Sequence, residues 1–160
     1  MALARKKIVV SKPQNAIALL RADHKKVSEL FAQYEKTRSP EKKRTIVAEI
    51  CIELGVHSQI EEEIFYPAAK RALRDRELVP EALVEHASVK SLMAQVEGVK
   101  PDGEMFDAKI KVLSEFVKHH VKEEQNEIFP KAAKTKLDMN ELGAQLAARK
   151  EQLLAERGAA

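Results

Sequence analysis

The sequence is poor in most of what builds disulfide-stapled, sheet or membrane proteins. It has one cysteine, Cys51, in 160 residues. A single thiol excludes an intrachain disulfide and any multi-cysteine zinc or iron–sulfur site. There is no Trp, and only 5 Phe, 2 Tyr, 5 Gly and 6 Pro occur. So few turn formers and aromatics argue against a sandwich or barrel, which needs a turn between every pair of short strands. No apolar run approaches the roughly 18 residues that a membrane helix requires, so no membrane partner is expected. Near the start, Arg5, Lys6 and Lys7 precede an apolar run of only Ile8-Val9-Val10. That run is too short for a signal peptide, and a cytoplasmic protein is expected. Net charge is +3, spread along the chain. Without a dense basic stripe, no nucleic-acid partner is expected. Charge runs at the basic start and in the last helix read as solvated surface, which fits a monomer or weak homo-oligomer.

What is present is helical periodicity. Hydrophobic residues make up 44% and charged residues 33%, a globular balance in a length suited to one domain. Four segments carry apolar residues at spacings of three and four, the mark of one buried stripe on a helix. Their inward positions run Ile17, Leu20, His24, Val27, Phe31; then Ile46, Ile50, Leu54, His57, Glu61, Ile64. The third gives Leu83, His86, Val89, Met93, Val96, and the fourth Phe106, Ile110, Leu113, Val117, His120, Glu124, Ile128. Ser39-Pro40-Glu41 reads as an N-cap, a first-turn proline and an acid at the positive helix end. Pro67 and Pro130 read as ends or kinks, Pro80-Glu81 as a restart, and Gly98 to Gly103 as a loop. Asp138 and Glu141 look like a capping box before a further helix.

Short connections make successive helices antiparallel neighbours. The expected architecture is all-α: an up-down four-helix bundle over residues 13–135, an N-terminal arm over 1–12, and an additional C-terminal helix over 136–160.

The pattern also repeats. Asp23-His24-x-x-Val27 recurs 62 residues later as Glu85-His86-x-x-Val89. His57-x-x-x-Glu61, with Pro67 ten residues past the histidine, recurs 63 residues later as His120-x-x-x-Glu124 with Pro130. The simplest account is a duplicated helical hairpin with approximate two-fold symmetry.

Four histidines thus stand on the inward stripes of four different helices, two with a glutamate one turn on. A buried carboxylate costs several kcal/mol unless a charge compensates it, and two in one core repel. No Lys or Arg shares those stripes, except Lys90 at an edge, which is either a surface residue or an ammonium aimed at the carboxylates. A multiply charged cation resolves both problems. Nitrogen and carboxylate ligands without sulfur suit iron or manganese, and zinc less specifically. The candidate ligands are His24, His57, Glu61, His86, His120 and Glu124, one metal per half with the glutamates bridging. On two six-coordinate ions sharing an oxo or hydroxo group, that set leaves about two positions open for a small ligand. His119 also has Glu123 at i+4, but His120 aligns with His57 and lies on the apolar stripe. Tyr34 and Tyr66 read as packing residues, Cys51 as an inert buried thiol, and Glu62, Glu63 and Glu123 as solvated faces.

His24, His57-x-x-x-Glu61, His86 and His120-x-x-x-Glu124, with the flanks Ile64-Phe65-Tyr66-Pro67 and Ile128-Phe129-Pro130, resemble the hemerythrin or HHE cation-binding domain over roughly Asn15 to Ala133. The resemblance implies a non-haem diiron centre, two oxo- or hydroxo-bridged iron ions, that binds or reacts with O₂, nitric oxide or peroxide. If the chain is an enzyme, a peroxide- or nitric-oxide-consuming oxidoreductase is implied. The alternative is an iron-binding sensor or storage module acting through a partner. One departure stands out. Oxygen carriers of the family resemble His-x-x-x-His in the third helix, whereas His86 is followed by Ala87, Ser88, Val89 and Lys90. One imidazole fewer leaves more exchangeable positions.

Overall fold

The computed structural model describes residues 14–158; the arm over 1–12 lies outside them. The described residues form helices and connections with no strand, and no helix among them is long and apolar enough to cross a membrane.

Helix α1 spans Ala16–Lys36, capped by Asn15, whose Oδ1 accepts from the Ala18 N–H at 2.8 Å. Helix α2, Pro40–Ile60, starts as its sequence indicates, with Ser39 Oγ accepting from the Lys42 N–H. It does not stop at Pro67. A wide π-helical turn, Glu61–Phe65, carries it into α3, Tyr66–Leu73. Proline lacks an N–H and crowds the carbonyl four residues back; the wider turn just before it lets the helix continue.

The chain reverses through Arg74, at φ 51, and α4 spans Leu78–Val96. Here the sequence signal misled. The restart lies ahead of Pro80, because Asp75 accepts from the backbone N–H groups of Glu77, Leu78 and Val79 and caps the helix. Helix α5, Glu104–Glu123, follows a loop in which Gly98 and Gly103 take positive φ, then runs through a second π-turn, Glu124–Ile128, into α6, Phe129–Ala133. Pro130 therefore does not end its helix either.

The helical rods pack as an up-down bundle. Asp23 meets His57 while the Lys43 ammonium lies over the Tyr34 ring, which fixes α1 and α2 antiparallel. Glu85 meets His120, and Val96 shares a cluster with Phe106, which does the same for α4 and α5. Helix α7, Met139–Glu156, is capped by Asp138 and packs outside α1 and α2, burying Leu142, Leu146 and Leu153. Gly143 permits that approach: a Cβ there would stand 2.1 Å from the Gln14 carbonyl oxygen.

Two apolar clusters make the core. One gathers Leu20, Ile60, Phe65, Phe129 and the α7 leucines; the other gathers Val27, Phe31, Ile50, Val89, Met93 and Leu113. At every inward stripe the histidines and glutamates fall between these clusters in sequence, so a polar layer divides the core. One stripe residue departs from expectation: Leu83 is 40% exposed.

Candidate metal centre

All six residues singled out by pattern come together in the polar layer. His24, His57, Glu61, His86, His120 and Glu124 are buried, the two glutamates completely. They form two sets in which the possible ligand atoms lie within 4.8 Å of one another: His24, His57 and Glu124, and Glu61, His86 and His120. The carboxylates tie the sets together. Glu61 Oε1 is 2.8 Å from His57 Nε2 and 3.5 Å from His86 Nε2. Glu124 places Oε1 3.0 Å from His24 Nε2 and Oε2 3.4 Å from His120 Nε2.

Each imidazole points its Nε2 inward and has a partner for Nδ1 on the other side. His57 Nδ1 is 3.0 Å from Asp23 Oδ2, and His120 Nδ1 is 3.4 Å from Glu85 Oε1. His86 Nδ1 is 3.3 Å from Glu62 Oε2, and His24 Nδ1 is 3.1 Å from Gln125 Nε2. A carboxylate at Nδ1, as at His57, His86 and His120, fixes the ring's tautomer and aim and raises its strength as a ligand. These outer partners obey the sequence repeat. Asp23 and Glu85 each precede a histidine on one helix and hold the histidine of the next. Glu62 and Gln125 each follow a buried glutamate, Glu61 or Glu124, and meet the histidine of the other half. Beyond them, Lys150 of α7 pairs with Asp23, and Lys90 pairs with both oxygens of Glu62 at 2.8 Å. Lys90 thus supports an imidazole through Glu62 and does not address Glu61 or Glu124.

The π-turns explain how one helix delivers both a glutamate and a ring to this layer. In a regular α-helix, residues five apart stand about 140° round from each other. The wide turn, closed by Tyr66 N–H to Glu61 O, brings Tyr66 back toward the glutamate's side. Its phenol donates to Glu124 Oε2 and lies 3.2 Å from His86 Nε2 and 3.3 Å from His120 Nε2. Tyr66 is therefore part of the centre, although its sequence reading was packing. Phe129, at the matching place in the second half, instead stacks on His24 with centroids 5.8 Å apart.

Electrostatically the layer is poised for positive charge. Burial opposes an imidazolium at His57, but the charge of Glu61 and the bond to Asp23 outweigh it and hold the group well above its ordinary value. At His120, burial is likewise overcome, by Glu124 and then by Glu61 and Glu85, and the value rises to about 9. Burial works against the charge on Glu124, yet the imidazoles beside it hold it well below the carboxylate range. Burial, then the charges of Glu61 and Glu124, push the Tyr66 phenol well above its ordinary value.

Even so, His24 Nε2, His57 Nε2, both oxygens of Glu61 and Glu124 Oε1 are enclosed without a hydrogen bond. Their short separations lack hydrogen-bond alignment. An orphaned buried polar atom costs about 1–3 kcal/mol, so several in one layer call for a ligand at the point they share. Nitrogen and carboxylate donors of this kind fit a first-row transition-metal pair.

A cavity of about 20 Å³ lies among the four histidines, walled by Val27, Leu54, Val89, Val117 and Val121. That is room for about one water-sized molecule. The remaining candidates fall outside. His119 is 67% exposed and faces Glu123 and Glu85 at the surface. Glu63 pairs with Arg149 of α7. Tyr34 is far along the bundle, bonded to Asp107. Cys51 is buried, its thiol pushed up by burial to about 12.

Comparison with known proteins agrees with this geometry. The family model for the hemerythrin HHE cation binding domain matches residues 15–132. A solved hemerythrin HHE cation binding domain-containing protein from Mycobacterium kansasii superposes with a TM-score of 0.77, at 24% identity, over 89% of each chain. A curated protein from a Nostoc species, named as a DNA nickase, is 27% identical over 111 residues, 69% of this chain. This chain spans only 31% of that protein's length.

Proposed function

The chain belongs to the hemerythrin HHE cation-binding domain family, and from that premise we propose that it holds two iron ions and binds or reacts with O₂ or a related small oxidant, peroxide or nitric oxide. His24 and His57 would hold one ion and His86 and His120 the other, with Glu61 and Glu124 each within reach of both sets. Manganese or zinc satisfies the same donors less specifically than iron. Bound iron would supply redox change and ligand exchange.

The observation that carries the small-oxidant reading is the 20 Å³ cavity. It meets the four histidines directly, four valines and Leu54 make up most of the rest of its wall, and it admits no metabolite. The chain's own residues aim the imidazoles through Asp23, Glu62, Glu85 and Gln125 and exclude bulk water with the aliphatic wall. They also place one phenol, Tyr66, where it can hold or give a proton beside Glu124.

The test is to reconstitute with iron and mix with peroxide, with O₂ or with nitric oxide, following absorbance and consumption. A spectral change with at least one of these, lost in His57→Ala, is expected. No response to any of them in a fully iron-loaded protein would overturn the reading.

One contact favours a second reading, an iron-dependent sensor or store. Lys150 of the outer helix α7 pairs with Asp23, which holds His57, so metal occupancy and the docking of α7 are linked. That reading predicts metal-dependent release of α7 without peroxide turnover.

A further inference from the structure

The outer faces of the two halves differ in a way that the repeat makes visible. On the first half, α7 lies over α1 and α2. There Asp23 uses both oxygens: Oδ2 faces His57, and Oδ1 takes the Lys150 ammonium at 2.5 Å. Glu85 is the counterpart of Asp23. Its Oε1 faces His120 Nδ1, but its Oε2, although enclosed, has no hydrogen-bond partner. The nearest ring nitrogen to pair with it, His119 Nε2, is 3.7 Å away. No lysine or arginine among the described residues forms an ion pair with Glu85.

Over Glu85 runs a groove of about 620 Å³ between α4 and α5, lined by Pro80, Glu81, Val84, Phe116, His119 and Glu123 among others. Val84 is 68% and Phe116 45% exposed. Where α7 covers Leu19, Val56 and Ile60 on the first half, the repeat places Glu81, His119 and Glu123 here. The groove thus joins an apolar strip to an acidic rim, with an enclosed oxygen awaiting a cation. No described element covers it. Exposed apolar surface of this kind is a common docking site, and a carboxylate so enclosed is stabilised by an ammonium or guanidinium brought to it.

We propose that the amino-terminal segment, residues 1–12, docks in this groove, with one of its cations taking at Glu85 the place that Lys150 takes at Asp23. The charges are complementary. That segment carries Arg5, Lys6, Lys7 and Lys12 and no acidic residue, beside Leu3, Ile8, Val9 and Val10. The attachment point is also suitable. The segment joins the bundle next to α1, whose first residue Ala16 shares one core cluster with Val79 and Ala82 at the start of α4. Twelve extended residues reach roughly 40 Å, about twice the width of two packed helices.

Zero-length carbodiimide cross-linking of the full-length, metal-loaded protein at high dilution tests this, because it joins an amine only to a carboxylate in contact with it. Mass spectrometry is expected to find Lys6, Lys7 or Lys12 joined to Glu81, Glu85 or Glu123 within one chain. Phe116→Lys, at an exposed position that leaves the core intact, is expected to lower that yield roughly tenfold, a weakening of about 1.4 kcal/mol. Links scattered over exposed carboxylates such as Glu29 and Glu151, or a yield unchanged in Phe116→Lys, would overturn the proposal. So would links found only between chains when isotopically labelled and unlabelled protein are mixed, which would assign the groove to a second copy.

Discussion

Tyr66 and Phe129 hold equivalent places, each closing a π-turn that begins at a buried glutamate, Glu61 or Glu124, yet only Tyr66 carries a hydroxyl into the polar layer. The phenol reaches Glu124, His86 and His120, whereas Phe129 stacks on His24. The two halves are alike in backbone and unlike in chemistry: one side of the centre has a proton donor at hand, the other a hydrocarbon ring.

Tyr66→Phe should therefore keep the fold and weaken the metal-free protein. Glu124 loses its phenolic donor, which costs about 1–3 kcal/mol for a buried acceptor. Urea denaturation of the metal-free variant measures the loss. Unchanged stability would mean that the phenol does not serve Glu124.

The glutamates and histidines should differ in reach. Glu61 approaches a histidine of each set, so Glu61→Ala should take metal content toward zero. His24 belongs to one set, so His24→Ala should leave about one ion per chain. Elemental analysis after exhaustive dialysis distinguishes the two outcomes.

Asp23→Asn preserves shape but removes the charge that aims His57 and binds Lys150. Loss of such an outer partner lowers metal affinity by about 10–100-fold. Competition with a chromogenic chelator reads the change, and an affinity equal to the parent's would remove Asp23 from the account.

Metal-free protein should also respond to pH in a defined direction. The folded-state values of His57 and His120 lie above the ordinary 6.5, that of His120 at about 9. Groups raised in this way favour the folded state fully below the unfolded value, and the gain is lost as pH rises through the folded value. Denaturation midpoints of the chelated protein should fall between about pH 6.5 and 9. Metal-loaded protein should behave oppositely, releasing metal as pH drops, because protons compete for the same nitrogens.

The sequence made the bundle legible because its signals are local. Periodicity marks α1, Ser39 caps α2 and the glycine loop bounds α5. The six central residues were legible because a doubled His-x-x-x-Glu on apolar stripes has no cheap bland explanation. What was hidden depends on backbone geometry that periodicity does not carry. A π-turn shifts the register after Glu61, so Tyr66, outward by α-helical counting, turns inward. The outer partners Asp23, Glu62, Glu85 and Gln125 lie off the apolar stripes and reach their imidazoles across helix interfaces. Asp75 gives no cap signal in the sequence because Pro80 marks a later boundary, although its carboxylate accepts from Glu77, Leu78 and Val79.

The most direct test of the central claim, that two cations reconcile Glu61 with Glu124, is a count of tightly bound iron paired with the absorption spectrum of the air-exposed protein after iron loading. The account predicts two irons per chain and the near-ultraviolet absorption of an oxo-bridged ferric pair, both lost in Glu61→Ala. A colourless protein that retains no iron, with an unchanged melting temperature when iron is offered, would contradict it.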